Sequence, residues 1–350
     1  MKTKAAIHLQ TGGPLVVDEV DVPDPRPDQV IVKLAATGVC HSQLHQIADP
    51  TIPTPSILGH EATGFVSHVG SGVSHVSEGD RVIVTWVSME PVRGIPEQAR
   101  PGITYRGVPV DEVVVHAWSE DVIALGRYVV PMSDGDPMDV GCIVGCAVLT
   151  GAGAVKNTAA VRPGDSVAVF GVGGVGLSAV QMAAILEAYP VIAVDLDDGK
   201  LEYARQFGAT HLVNATHCDP VEAVVELTGG GADFSFDTIG VRATTEQILA
   251  SVRAGGPGAD NLGGIAVLVG IPGPEMTIDP NLFVRGHRQF RGSMGATYPV
   301  RDFDLFLRLH REGKFPLEKL VTRRYKLDDI NIACDALRAG QILGRAIVEF

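Results

Sequence analysis

VAVFGVGGVGLSAVQMAAIL, residues 167–186, passes from a short apolar run through a glycine-rich turn into a stretch long enough for a helix. Gly171, Gly173 and Gly176 stand in G-x-G-x-x-G spacing, with Gly174 and Val175 before the last of them, and Asp195 closes the next apolar run. The first glycine permits a tight turn, the second lets a pyrophosphate approach the backbone, and the third lets helix and strand pack closely. The helix N-terminus meets the phosphate charge. A glycine-rich turn alone can be only a corner, but a strand before it, a helix after it and an acid ending the next strand together imply a dinucleotide site. A carboxylate at Asp195 accepts hydrogen bonds from ribose hydroxyls and repels a 2′-phosphate, a bias that Asp197 and Asp198 deepen, so NAD is expected over NADP. The plain alternative for Asp195 is a helix cap.

Working outward, the apolar runs SVAVFG (166–171), PVIAVD (190–195), THLVN (210–214), ADFSFDTIG (232–240), GIAVLVGI (264–271) and QFRGSMG (289–295) alternate with amphipathic stretches such as LEYARQFG (201–208) and TTEQILASV (244–252). That alternation predicts an α/β fold with a doubly wound parallel sheet. Before about residue 148 the rhythm differs. QVIVKLAATG (29–38), TGFVSHVG (63–70), DRVIVTWV (80–87) and EVVVHA (112–117) read as short strands, separated by clusters such as DVPDPRPDQ (21–29) and PTIPTPS (50–56). RDFDLFLRLHREG (301–313) reads as a helix, and GRAIVEF (344–350) as a strand returning to the first domain. The expected division is a β-rich domain over 1–148 and 296–350 around a nucleotide-binding domain over 149–295.

Length and composition agree with two domains. Glycine supplies 41 of 350 residues, well above the ~7% average, as expected where many positions need positive φ or close approach. Lys and Arg total 28 against 41 Asp and Glu, and the net charge of −13 argues against nucleic acid and anionic membranes as partners. No run of 18 residues lacks a charge or a breaker, and MKTKAAIHLQTGGPLVVDEV (1–20) alternates like strands rather than like a secretory signal. A cytoplasmic protein is expected. Five scattered cysteines, Cys40, Cys142, Cys146, Cys218 and Cys334, suit reduced thiols rather than a disulfide framework.

TGVCHSQLH (37–45) places Cys40, His41, Ser42 and His45 together. Cys40, His60 and Cys146 have no short metal spacing, and taken alone they are better accounted for as buried thiols with a solvated histidine. The order of motifs adds a resemblance. GVCHSQLH (38–45), LGHEATGFVSHVGSGVSHVSEGDRVIV (58–84), VGCAVLTGAGAV (144–155) and VFGVGGVG (169–176) resemble the zinc-dependent alcohol dehydrogenases of the medium-chain dehydrogenase/reductase superfamily, over essentially the whole chain.

The resemblance implies a GroES-like catalytic domain beside a Rossmann NAD-binding domain, and a catalytic Zn²⁺ held by Cys40, His60 and Cys146 with its fourth position open. Cys142, one helical turn before Cys146, is the rival ligand. Gln43 and Glu61 take the places that support the ligands from behind. The alcohol proton is expected to pass to Ser42, across the nicotinamide ribose, and on to His45. His41 and Arg345 match positions near the pyrophosphate, Lys200 one at the adenosine ribose, and Thr150, Ile239 and Val269 positions around the nicotinamide. Trp86 matches a position lining the alcohol pocket, with an ordinary core role as the alternative. His8, His68, His75 and the other histidines read as surface residues. A homodimer or homotetramer is implied, with NLGGIAVLVGI (261–271) a candidate sheet edge.

Two departures stand out. Gln43 replaces the usual aspartate, removing a charge, although an amide oxygen can still accept an imidazole N–H. Residues 85–107 lack the four cysteines of a structural zinc site, so one zinc per chain is expected, with Pro91, Pro96 and Pro101 stiffening the lobe instead. The reading is an NAD-dependent enzyme interconverting primary or secondary alcohols with aldehydes or ketones. The alternatives are a zinc-independent quinone or enoyl reductase of the same superfamily and a non-catalytic nucleotide-binding protein.

Overall fold

Strand Gln29–Val39 buries almost every side chain, so the inside-outside alternation of a half-exposed strand gives way to runs of Val, Ile and Ala covered on both faces. The computed structural model describes residues 1–90, 102–112 and 115–350. In chain order the first part holds β1 Lys2–His8, β2 Val16–Asp21, β3 Gln29–Val39, α1 His41–Ala48, β4 Ser56–Ile57, β5 Glu61–Val69 and β6 Arg81–Thr85. The short β7 Thr104–Tyr105, β8 Val108–Pro109 and β9 Asp111–Glu112 follow, then β10 Asp121–Leu125 and β11 Val129–Pro131. The middle holds α2 Ala147–Gly153, β12 Val167–Phe170, α3 Gly174–Ile185, β13 Val191–Asp195, α4 Asp198–Ala204, β14 His211–Asn214, α5 Pro220–Thr228, β15 Phe234–Asp237, α6 Arg242–Ser251, β16 Ile265–Leu268, α7 Asn281–Val284 and β17 Gln289–Gly292. The last part holds α8 Pro299–Arg311, α9 Leu317–Leu320, β18 Val321–Tyr325, α10 Ile330–Arg338 and β19 Arg345–Glu349. Met1–Cys146 with Tyr298–Phe350 form one unit and Ala147–Thr297 a second.

The first unit carries two sheets, ordered β8-β7-β2-β1-β4-β9 and β11-β6-β5-β3-β19-β18, with β10 on β3. β19 lies antiparallel to β3, Ala346 opposite Val39, so the end of the chain reaches the strand that leads into TGVCHSQLH. A core of Val30, Val32, Ala62, Val82, Val84, Val122 and Tyr128 fills this unit. Each fully buried aliphatic side chain of this kind contributes about 1.5–3 kcal/mol relative to exposure.

The second unit is a parallel sheet ordered β14-β13-β12-β15-β16-β17, which in chain order is 3-2-1-4-5-6, the doubly wound arrangement. Its core joins Ala168, Phe170, Ile192, Val194, Phe290, Ile248 and Leu249. The backbones of α2 and α3 touch: a Cβ on Gly151 would lie 2.1 Å from the Val175 carbonyl oxygen. No helix among the described residues is long and apolar enough to cross a membrane.

Several expectations change. EVVVHA contributes strand only at its first residue, in β9; Val113 and Val114 lie outside the described residues, and Val115–Ala117 are not strand. Pro91, Pro96 and Pro101 likewise lie outside them. NLGGIAVLVGI is not a sheet edge, because β16 is paired on both sides and the edges are β14 and β17. His8 and His116 are not surface residues: both are buried, His8 with Nδ1 3.3 Å from Ser56 Oγ and His116 with Nε2 3.1 Å from the Ile123 carbonyl. At His116 both ring nitrogens are met, Nε2 by Ile123 backbone and Nδ1 by Ser119 Oγ at 3.5 Å, whereas His8 Nε2 has no hydrogen-bond partner among the described residues.

Burial lowers the pKa of His116 to about 4. The unfolded chain gains the proton near the ordinary histidine value of about 6.5 while the folded chain resists it, so stability present above ~6.5 is lost as pH falls toward 4, by about 3 kcal/mol in all. Urea unfolding of chelator-treated protein between pH 7 and 4 is expected to show this slope, and His116→Gln to flatten it. Equal slopes in the two proteins would refute the role of His116.

Candidate functional site

The three sulfur and nitrogen donors are brought together by strand pairing. Thr37 of β3 faces Ala62 of β5, so Cys40, just past one strand, and His60, just before the other, emerge at the same end of the sheet. Cys146 comes from the 3₁₀ turn Val140–Gly145, which Thr85 Oγ1 fastens to the end of β6 by donating to the Gly145 carbonyl at 2.8 Å. Cys40 Sγ, a ring nitrogen of His60 and Cys146 Sγ all lie within 4.8 Å of one another. Cys142 joins no such group among the described residues; it is wholly buried, and burial pushes its thiol well up.

Proton placement fits a metal site. Cys146 hydrogen-bonds to Cys40, and this, with the Arg345 charge and His60 nearby, pulls the Cys40 thiol well down despite burial. The same contact, followed by burial, pushes Cys146 up. The two sulfurs are thus in direct contact, and with His60 they lie close enough for one cation to bind all three. His60 Nε2 lies 3.0 Å from Cys146 Sγ, on the metal side of the ring.

Glu61 and Arg345 are both buried and paired, Arg345 Nε donating to Glu61 Oε1 at 3.0 Å. Burial works against the guanidinium, but the Cys40 and Glu61 charges hold it firmly protonated. Gly38 makes room for this pair, since a Cβ there would sit 2.2 Å from Glu61 Oε1. The structure places Arg345 here, in the first unit; its tie to Glu61 is a partnership that sequence reading missed. The signal was available: an arginine opening the apolar strand GRAIVEF needs a buried acid, and GHE supplies one.

Gln43 is buried, and its two ends are both used. Its Oε1 accepts the Cys40 backbone N–H at 3.0 Å, and its Nε2 meets His60 Nδ1. The expectation that the oxygen would accept the imidazole N–H is thus corrected, because the backbone donor has claimed it. The spacing of Cys40 and Gln43, first residue and third helical residue of a capping box, was the legible clue.

On α1, His41 and His45 are exposed, while Ser42 Oγ is buried with no hydrogen-bond partner among the described residues. Trp86 stands edge-on to His60, ring centroids 6.3 Å apart, with its Nε1 buried and without a hydrogen-bond partner among the described residues.

In the second unit the expected cofactor residues gather at the carboxyl ends of the parallel strands, where ligands of such sheets bind. Gly171 follows β12 with φ +89°, a backbone that only glycine adopts freely, and a Cβ on Gly176 would lie 1.8 Å from the Gly171 carbonyl oxygen. A Cβ on Gly173 would meet nothing within 4 Å, the open approach a phosphate needs at the start of α3. Gly174 and Val175 form the first turn of that helix. Asp195 ends β13 and ties the loop down, accepting the N–H of Val172 at 2.9 Å and of Leu196 at 2.7 Å. Lys200 lies in the first turn of α4, its N–H donating to the Asp197 cap. Ile239 is 42% exposed just past β15, and Val269 follows β16. Thr150 lies on α2 with a buried Oγ1 that has no hydrogen-bond partner among the described residues.

Residues 26–134 match the alcohol dehydrogenase GroES-like domain, and residues 174–311 the zinc-binding dehydrogenase family. An S-(hydroxymethyl)glutathione dehydrogenase of Synechocystis sp. is 32% identical, with all of both chains covered. The chain belongs to the zinc-binding alcohol dehydrogenases. Two solved members share its fold closely: a zinc-binding-domain alcohol dehydrogenase from Burkholderia ambifaria (TM-score 0.92, 30% identity) and a benzyl alcohol dehydrogenase from Acinetobacter calcoaceticus (TM-score 0.90, 28%). Each covers 100% of this chain and 99% of its own. As a zinc-binding alcohol dehydrogenase the chain is an oxidoreductase acting on CH–OH donors, and its cysteine-histidine group is of the kind that family uses for its metal.

Proposed function

We propose that this alcohol dehydrogenase oxidises small primary or secondary alcohols with NAD through one zinc at Cys40, His60 and Cys146. The observation that carries the reading is the convergence of those donors within 4.8 Å on the same sheet end from which α1 carries the buried, unpartnered Ser42 hydroxyl. Two sulfurs and one ring nitrogen suit zinc, and three protein ligands leave one position for substrate. When bound there, zinc supplies a Lewis acid that polarises the substrate oxygen, and NAD supplies the hydride acceptor.

The chain's own residues do the rest. Ser42 Oγ, with no hydrogen-bond partner among the described residues, accepts the substrate hydroxyl proton while its own hydroxyl proton is released toward His45. His45, exposed on the same helix, hands the proton to solvent. Trp86 limits the width beside His60. Gly171, Gly173 and Gly176 admit the pyrophosphate, and the Asp195 oxygens keep lone pairs for the ribose hydroxyls. His41, Lys200, Arg345, Thr150, Ile239 and Val269 keep the cofactor contacts assigned above. We place the enzyme in the cytoplasm as a homodimer or homotetramer; the exposed Leu262, Val284 and Met294 of the nucleotide-binding unit favour self-association.

An alcohol panel assayed with NAD and NADP, before and after chelation, tests the proposal on samples whose zinc is measured. One zinc per chain, loss of turnover with its removal and a much lower KM for NAD are expected. Turnover that survives complete zinc removal would move the chain to the zinc-independent reductases, and equal use of the two nucleotides would refute the role of Asp195. Two tightly held zinc ions per chain would contradict the single site.

A further inference from the structure

We propose that Gln43 is a positioning residue that makes the metal of this site readily exchangeable, because its amide offers one acceptor where a zinc-bound His60 and the Cys40 backbone require two. The inference rests on the metal assignment above. Cys40 N–H is a donor in every state of the protein, and the amide end 3.0 Å from it has to be the oxygen. The other end of the same planar group is then an NH₂ donor, and it faces His60 Nδ1. A donor in that place requires a lone pair on Nδ1, which in a neutral imidazole puts the proton on Nε2. Nε2 is the nitrogen beside Cys146 Sγ, the one a metal between these residues has to reach. The metal-free arrangement thus holds a proton where the metal belongs.

Loading the metal reverses both demands. With the metal on Nε2, the imidazole proton moves to Nδ1 and asks for an acceptor. Gln43 supplies one only by turning its amide over, and then its NH₂ confronts the Cys40 N–H, leaving a buried donor unpaired among side chains that exclude water. A carboxylate of the same length has an acceptor at each end and satisfies both donors without turning. The amide is therefore stable in the metal-free form and mismatched in the loaded one. Ligand-supporting groups of this kind alter metal affinity by about 10–100-fold.

Zinc titrations of metal-free wild type and Gln43→Glu against a competing chromogenic chelator test the idea, with folding followed by circular dichroism. Gln43→Glu is expected to bind one zinc about 10–100-fold more tightly and to release it more slowly. Equal or weaker binding by a folded Gln43→Glu overturns the inference while leaving the metal site intact. Failure of both proteins to bind zinc overturns this inference and the proposed function together. A second measurement needs no stable variant at position 43: ¹⁵N-histidine spectra of the metal-free wild type, with His60 identified by its loss in His60→Ala, are expected to show the proton on Nε2. A proton on Nδ1 overturns the inference.

Discussion

Cys146→Ser is expected to lose zinc and turnover together, with kcat/KM down by at least about 10³-fold, whereas Cys142→Ser keeps both. The factor is the size of a Lewis-acid contribution of several kcal/mol. A serine hydroxyl at this position stays protonated and is a poor zinc ligand, so the remaining Cys40 and His60 form an incomplete site. Cys142 provides the control because it sits in the same 3₁₀ turn, four residues away and wholly buried, yet outside the donor group. Its serine variant pays only for a hydroxyl placed in an apolar wall, on the order of 1–3 kcal/mol of stability. Zinc content by elemental analysis and steady-state kinetics on the same samples separate the two. Retained zinc in Cys146→Ser with loss in Cys142→Ser would exchange the two assignments.

Much of this was legible because the deciding features are local in sequence. The glycine loop, the strand before it and Asp195 lie within one β-α-β unit, and their spacing carries its geometry directly. The metal group was harder. Cys40, His60 and Cys146 meet only because β3 and β5 pair antiparallel and a turn is fastened to β6, so no spacing rule connects them and family resemblance had to supply the link. What escaped sequence reading depends on which atom faces which. GHE and GRAIVEF suggest that Arg345 needs a buried acid, but not which atoms of Glu61 it meets across 284 positions, or that Gly38 is small to admit them. The histidines failed for a related reason: polarity suggests surface for His8 and His116, but a neutral ring is largely apolar, and local contacts meet both nitrogens of His116 and Nδ1 of His8. Gln43 was noticed as a missing charge, yet its effect comes from the Cys40 N–H, which only the capping-box spacing of the two residues hinted at.

Ser42→Ala is expected to lower kcat by about 10²–10⁴-fold with zinc content unchanged, the range for removing a positioned acid-base group. The hydroxyl lies on the second residue of α1, its oxygen buried and without a hydrogen-bond partner among the described residues, and Ser42 is none of the three proposed zinc ligands. A serine that served the fold would be satisfied by the backbone, as Ser178 is by the Gly174 carbonyl at 2.7 Å. An unpartnered buried hydroxyl costs stability by itself, so Ser42→Ala should also be slightly more stable than wild type. Ser42→Thr keeps the oxygen and is expected to recover most of the turnover. His45→Gln should behave differently: the proton still leaves the substrate but reaches solvent slowly, so activity falls less and returns when a small imidazole buffer is added. Loss of zinc in Ser42→Ala, or a His45→Gln deficit that added buffer leaves untouched, would show that these residues support the site and do not carry the proton.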